Sequence, residues 1–440
     1  MSDSQGARPR VVVCGAGFGG LWAARRLMGE PVEVTLLDRN NYHTFYPLLY
    51  QVAAAELGPT DIAYPVRSIL RTSRNVHFRM ADVRGLDLGE RAVITDLERI
   101  PYDHLVLALG SVPNDFGVEG VAEHAFFLRE MDQAIPLRHH ILSRFESAVY
   151  ERREARRRRM LTFAIVGGGP TGVEFAGALA ELIHGPLLKD YPTIDPEEVR
   201  VVLLEAMDRV LLAMPEELGA YAAERLRSRR VRVRTGAVAT RVTAEAIHFE
   251  DGEPLGTETV VWTAGVQGPA YLEEWGLSPG RGSRVRVDPN LGLPGHPEVR
   301  VIGDMALTDE DDPLPQVAPV AVQQGEHAAE NILRDVRGEE PRPFRYQDPG
   351  MLAVIGRNAA VADFGKRTFT GFPAWILWLS IHVAKLIGFR NRLLVLVNWA
   401  WNYISYERAV RLILPSEPEE RVEKDVPKPA TPSEEVALNG

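Results

Sequence analysis

The chain has 440 residues, of which 45% are hydrophobic and 25% charged, and its formal net charge is −10. That length can bury more than one core, so two or three domains are expected. The acidic balance argues against non-specific nucleic-acid binding. The lone cysteine, Cys14, excludes an internal disulfide, a CxxC redox pair and a cysteine metal site.

The first ten residues contain no apolar signal core, which predicts a cytosolic start. Residues 11–14 are an apolar strand that runs into Gly15-x-Gly17-x-x-Gly20, and a helix pattern begins at Leu21. Strand, glycine turn and helix in this order form a dinucleotide-binding fingerprint. Gly15 makes the tight turn, Gly17 admits a pyrophosphate, and Gly20 lets helix and strand pack closely. Phe18 and Gly19 complete the loop. The next apolar strand, residues 33–37, ends at Asp38 and Arg39. Asp38 stands at the spacing, roughly 20 residues on, at which a carboxylate meets ribose hydroxyls. Residues 40–51 are aromatic and polar with little period. They suit either a segment covering a large planar ring or an ordinary loop with buried aromatics.

Residues 105–109 form a further apolar strand that closes on Gly110. Residues 130–159 read as a helix bridging two domains. Its basic run, Arg152, Arg153 and residues 156–159, is either a phosphate- or lipid-facing patch or a solvated face interleaved with Glu146, Glu151 and Glu154.

A second fingerprint, Gly167-x-Gly169-x-x-Gly172, follows the apolar residues 163–166. Two such sites in one chain imply two cofactors held face to face, with electrons passing between them. Glu174 comes two residues after the last glycine, either as a helix cap or as a group reaching a nicotinamide carboxamide. The partner strand, residues 201–204, ends at Glu205, beyond an inserted segment at 185–198. A carboxylate there binds ribose hydroxyls and repels a 2′-phosphate, which predicts NADH over NADPH. Two more strands close on Gly265 and on Gly303-Asp304. Asp304 suits a ribityl-like hydroxyl, a helix N-cap, or both. The eleven histidines are scattered without metal spacing.

From Phe372 the chain turns strongly apolar, interrupted by His382 and Lys385, without an unbroken 18-residue run. Two interfacial helices are expected. Trp375, Trp378, Trp399, Trp401 and Tyr403 would lie at headgroup level, with Arg390, Arg392, Arg408 and Arg411 near lipid phosphates. A dimer interface or an internal core layer is the competing reading. Residues 415–440, rich in Pro, Glu, Lys and Ala, read as a disordered tail.

Together these residues resemble the type II NADH:quinone oxidoreductases over about residues 8–413. The likeness is carried by the paired fingerprints, Tyr42-His43-x-Phe45-x-Pro47-Leu48-Leu49-Tyr50, residues 169–174, Gly303-Asp304, Gln323-Gln324-Gly325 and the segment 387–394. Ala318-Pro319 stands where the family often has Ala-Gln.

The resemblance implies an α/β fold: two Rossmann-like dinucleotide-binding domains of the FAD/NAD(P)-linked disulfide-reductase type, plus C-terminal membrane-associated helices. An FAD domain would take residues 8–115 and 270–335, an NADH domain 116–269, and a membrane-docking region 336–414. It implies a hydride passing from NADH to non-covalent FAD and two electrons to a membrane quinone, without proton pumping. Gly15, Gly17, Gly20 and Asp38 would hold the adenosine-pyrophosphate half of FAD, and Phe18, Gly19, Arg39 and Gly110 would also bind the cofactor. Gly303 and Asp304 would hold its ribityl-phosphate region. Gly169, Gly172, Glu174 and Glu205 would serve NADH, with Gly167 and Gly265 as further cofactor-binding residues. Glu174, Gln323 and Gln324 would act at the reacting centre, the two glutamines at the start of a helix whose amides face the ring. The protein would sit peripherally on the inner leaflet of the cell membrane, with no nucleic-acid partner and with a homodimer left open. Sulfide:quinone oxidoreductases look similar in outline, but their chemistry needs cysteines beside the flavin. A soluble FAD-dependent NADH reductase and a redox-responsive FAD/NADH-binding scaffold also compete with the quinone reading.

Overall fold

The computed structural model describes residues 8–405 and 410–413. Arg408 and the expected tail at 415–440 lie outside the described residues.

The chain begins with β1 (Arg10–Cys14), α1 (Phe18–Arg26), β2 (Glu33–Asp38), β3 (Val76–Met80) and β4 (His104–Leu107). β1 pairs in parallel with β2 on one side and β4 on the other, and β3 extends the sheet beyond β2. Val11, Val12 and Val13 are all buried, as a strand covered on both faces requires. A short helix, α2 (Leu49–Ala53), follows the aromatic segment after β2.

The chain then leaves this sheet to build another. β5 (Ala125–Phe127) leads into α2's neighbour α3 (Met131–Tyr150) and then β6 (Thr162–Val166), α4 (Pro170–Leu182), β7 (Arg200–Leu204), β8 (Val231–Arg234) and β9 (Thr259–Trp262). These strands form a parallel sheet in the order β5-β9-β6-β7-β8. The chain returns with β10 (Gly292–Leu293) and β11 (His296–Val301). β11 pairs in parallel with β4 and completes the first sheet in the order β10-β11-β4-β1-β2-β3. α5 (Ala318–Val336) then packs on α1. The crossing is close enough that a Cβ on Gly325 would stand 2.2 Å from the Gly19 carbonyl oxygen.

The remaining chain forms an antiparallel sheet, β12 (Met351–Gly356), β13 (Ala359–Asp363) and β14 (Thr368–Thr370), and two helices, α6 (Gly371–Lys385) and α7 (Phe389–Ser405). β12 lies against α4, where a Cβ on Gly177 would meet the Ile355 carbonyl oxygen at 2.5 Å. The C-terminal part is thereby fixed to the helix that opens the second fingerprint.

The expected bridge at 130–159 is not one helix. Glu151 has extended backbone angles and accepts the Arg153 amide at 2.9 Å, which ends α3 before a short helix at Glu154–Met160. The basic run is an ion-paired face: Arg153 and Arg156 meet Glu151, Arg157 meets Glu198, Arg158 meets Glu154 and Arg159 meets Glu245.

The aromatic belt is redistributed as well. Trp378 is only 1% exposed, because its indole N–H finds an acceptor inside the molecule; Trp375 and Trp399 are half-buried and Trp401 is exposed. Arg411 pairs with Asp190 at 3.3 Å. Phe372, Ile376, Phe389, Leu393, Leu396 and Val397 are exposed on α6 and α7. Among the described residues no helix is long and apolar enough to cross a membrane.

Candidate functional site

Both glycine loops are built alike. Gly15 has φ +102° and Gly167 φ +112°, a region that L side chains rarely adopt. A Cβ on Gly20 would fall 1.9 Å from the Gly15 carbonyl oxygen, and one on Gly172 would fall 1.8 Å from that of Gly167. Any side chain at either third glycine would therefore push helix off strand. Gly17 and Gly169, by contrast, face open space and serve as the N-caps of α1 and α4 without a side-chain cap. Each loop thus presents uncapped helical amides to a clear volume, the arrangement that receives a phosphate.

The two carboxylates at the ends of β2 and β7 also match. Asp38 accepts the Ala16 amide at 2.7 Å and the Asn40 amide at 2.7 Å. Glu205 accepts the Gly168 amide at 2.6 Å and the Met207 amide at 2.8 Å. Each acid therefore fixes its own glycine loop through backbone amides. Burial pushes the Asp38 carboxyl up, against the pull of those two amides. Arg39 pairs with Glu130 at the start of α3. Gly265, with φ +123°, follows Thr263 and Ala264, and these two pack on Gly167.

A cavity of about 1190 Å³ lies beneath the first loop. Its wall includes Gly15, Gly17, Phe18, Gly19, Asp38, Arg39, Gly110, Gly303, Asp304, Glu174 and Gln323. The aromatic segment after Asp38 contributes Phe45, Tyr46, Leu49 and Tyr50, and α6 and the turn after it contribute residues 381, 382 and 384–388. Phe18 meets the His43 ring edge-on at 5.1 Å and Phe45 at 5.9 Å. His43 Nδ1 lies 2.9 Å from the Ala16 carbonyl oxygen, and burial pushes this imidazole down to about 4. Gly20, Gly167, Gly169, Gly172, Glu205, Gly265 and Gln324 do not line this cavity.

Asp304 is not a helix cap. It sits in the turn Gly303–Met305 and accepts hydrogen bonds from Ser111 Oγ at 2.7 Å and Arg129 Nη2 at 2.5 Å. The Arg129 guanidinium also covers the Tyr46 ring, 5.4 Å from its centroid. Ser111 and Arg129 line the cavity and were missed by sequence reasoning. Ser111 directly follows the strand that closes on Gly110; Arg129 carries no local signal.

The two glutamines are placed differently from expectation. α5 starts at Ala318, with Pro319 preset for the first turn, so Gln323 and Gln324 lie in the second turn. Gln324 is fully buried, and its Oε1 accepts the Gly303 amide at 2.6 Å. Gln323 is tied to Gln347, donating to its carbonyl oxygen at 2.8 Å and accepting its amide at 3.0 Å.

Glu174 is not a cap either. Pro170 starts α4, which places Glu174 past the first turn with its side chain directed at the C-terminal part. Its Oε1 accepts the Val354 amide at 3.2 Å and the Trp378 indole N–H at 3.2 Å. Burial pushes this carboxyl up to about 8, so it is largely protonated at neutral pH. A second cavity, of about 960 Å³, lies between α4, β12, α6 and α7. Tyr50, Glu174, Ala384 and Arg392 line both cavities and form the partition between them.

Residues 9–325 match the family model described as "Pyridine nucleotide-disulphide oxidoreductase", and residues 349–405 match "NDH2 C-terminal domain". The chain is 39% identical to the type II NADH:quinone oxidoreductase Ndh of Mycobacterium tuberculosis, over 91% of this chain and 89% of that protein. It is 33% identical to the type II NADH:quinone oxidoreductase of Staphylococcus epidermidis, over 84% of this chain and 93% of the relative. Among solved structures, NDH2 from Plasmodium falciparum in complex with NADH superposes with a TM-score of 0.84 at 18% identity, covering 93% of this chain and 100% of that one. The sulfide:quinone oxidoreductase of Aquifex aeolicus shares the fold at a TM-score of 0.67 and 17% identity, covering 91% and 96%. With two parallel sheets that each open on a glycine loop, the matching C-terminal region and relatives alike over nearly their whole length, the chain belongs to the type II NADH:quinone oxidoreductase family.

Proposed function

We propose that this chain carries two electrons from NADH to a membrane quinone by way of bound FAD. One observation supports this reading above the others. A single cavity reaches from the first pyrophosphate turn, past Pro170, Thr171 and Glu174 of the second fingerprint's helix, to the wall that α6 provides. A flavin, a pyridine nucleotide and a lipid-borne acceptor therefore have one volume in which to meet.

The chain suits FAD. Residues 8–115 and 270–335 hold it, with Gly15, Gly17, Gly20 and Asp38 serving the adenosine-pyrophosphate half and Phe18, Gly19, Arg39 and Gly110 completing the site. The uncapped amides of α1 and the open space at Gly17 fit that group. Gly303 and Asp304 serve the ribityl-phosphate region. Asp304, oriented by Ser111 and Arg129, keeps an acceptor at the cavity wall. FAD, when bound, supplies two-electron redox chemistry that no side chain possesses.

Residues 116–269 hold NADH through Gly167, Gly169, Gly172, Glu205 and Gly265, and Glu205 disfavours a 2′-phosphate. Glu174, neutral at working pH, borders the reacting region as a hydrogen-bonding group. Gln323 faces the cavity, while Gln324 acts behind it by holding the Gly303 amide. Residues 336–414 dock on the inner leaflet of the cell membrane, where the exposed apolar faces of α6 and α7 lie in lipid. The chain's contribution to rate is proximity and orientation.

The test is an absorbance spectrum of purified protein, followed by steady-state NADH oxidation with a short-chain quinone. Flavin bands near ~450 nm, a property of the cofactor, and quinone-dependent turnover are expected. Protein without those bands, or NADH oxidation indifferent to quinone, would overturn the reading.

A further inference from the structure

The acceptor reading leaves the imidazole of the α6 wall unused. His382 lines the first cavity. Its ring is stacked on Trp378, with centroids 4.2 Å apart and planes 25° apart, and meets Phe45 edge-on at 6.1 Å. The imidazole is thus held on two sides.

Its Nδ1 lies 2.7 Å from the Trp378 carbonyl oxygen, one turn back. A carbonyl oxygen only accepts, so Nδ1 carries the proton and Nε2 of the neutral ring is a bare acceptor. Among the described residues no group hydrogen-bonds this Nε2 and, unlike Nε2 of His43, it is not sealed off. Burial, with Lys385 adding to it, pushes the imidazole down to about 4, so the neutral form prevails at working pH. The other charged groups nearby are Lys385 and Arg392 on the same cavity wall. Behind the stack lies Glu174, bonded to the Trp378 indole.

We propose that Nε2 of His382 distinguishes a hydroquinone from a quinone in this cavity, accepting a hydrogen bond from the reduced ring's hydroxyl and offering nothing to the oxidised ring's carbonyl. This rests on the acceptor entering along α6. Two bare acceptors facing each other repel, so the oxidised ring turns its carbonyl away from His382. Lys385 and Arg392, which present only donors, are the groups on that wall able to receive it. His382 is therefore a residue that sets which redox state of the acceptor the site retains.

The experiment measures the affinity of FAD-loaded protein for menadiol and for menadione under anaerobic conditions, in the unaltered chain and in two variants. His382→Phe keeps a ring on Trp378 but has no acceptor. It should weaken menadiol about fivefold, the scale of one hydrogen bond, and leave menadione within about twofold. His382→Gln brings a donor as well as an acceptor. It should tighten menadione about threefold on the same grounds, while menadiol stays close to its original affinity. Either change in the menadiol-to-menadione ratio supports the proposal, so it can be tested with whichever variant retains flavin. Equal losses for both ligands, or a ratio indifferent to both substitutions, overturn it. If neither ligand binds the unaltered chain while NADH still reduces the flavin, the acceptor reading itself fails.

Discussion

Glu205 and Asp38 do the same work at the ends of two different strands: each holds a glycine loop by its amides. Replacing Glu205 by glutamine preserves an acceptor for the Gly168 amide and removes the charge. Glu205→Gln should therefore shift the NADH-over-NADPH ratio of kcat/KM toward NADPH by about tenfold; an unaltered ratio would count against the ribose assignment. Glu174 makes a prediction with a definite sign. Its carboxyl is pushed from the ordinary 4.5 up to about 8 in the folded chain. Its contribution to stability is therefore fully present below about pH 4.5 and lost as pH rises through about 8. Glu174→Gln keeps an acceptor for the Trp378 indole and cannot ionise. The melting temperature of this variant, relative to the unaltered chain, should rise between pH 5 and pH 8 and then level off. A pH-independent difference would contradict the buried-acid assignment. The glycine loops and the two carboxylates that hold them were legible in the sequence because each comes directly at the end of an apolar strand, which is a local property. Arg129, Ser111 and His382 were not. Their roles arise from neighbours such as Asp304, which is 175 positions from Arg129, and no periodicity encodes such a meeting.

The helices show how local rules and packing compete. Glycine inside α5 is a poor helix former, and alanine at Gly325 would gain about 1 kcal/mol from propensity alone. Yet a Cβ there would stand 2.2 Å from the Gly19 carbonyl oxygen on α1. Overpacking of this kind costs typically about 1–3 kcal/mol, and the atom in the way is backbone. Gly325→Ala should therefore lower the melting temperature and the flavin content of purified protein, because α1 carries the amides of the first loop. A variant more stable than the original would show that α1 and α5 cross more loosely. The strands at 11–14, 163–166 and 201–204 were legible to within a residue, since each is a buried apolar run bounded by glycine or acid. The break in the helix at 151–153 was not, because Glu151 fits a helical pattern until its side chain bonds the Arg153 amide. Trp378 misled for a similar reason. In an amphiphilic segment it reads as a headgroup anchor, and only the fold brings Glu174 to its indole.

Across the whole molecule, the C-terminal part has two faces with different partners. Ala374, Trp378, Leu386 and Val395 are buried against the body, while Phe389, Leu393 and Val397 are exposed on α7. Deleting residues 372–414 to test membrane docking would also strip the core. The cleaner test is Phe389→Glu with Leu393→Glu and Val397→Glu. Co-sedimentation with anionic lipid vesicles should fall at least about tenfold, as carboxylates in place of apolar contacts at an anionic surface require, with flavin retained. Unchanged sedimentation together with loss of a dimer would identify this face as a subunit interface instead. The return of the chain to its first sheet has a consequence during synthesis. β11 pairs with β4, and the turn just after it carries Gly303 and Asp304. A nascent polypeptide halted before residue 296 lacks an inner strand of that sheet and the acidic turn after it. The second sheet, contiguous from 125 to 262, has all its strands by then. On the ribosome, the half built on the second sheet should become protease-resistant first, and flavin should be captured only after the later segment emerges.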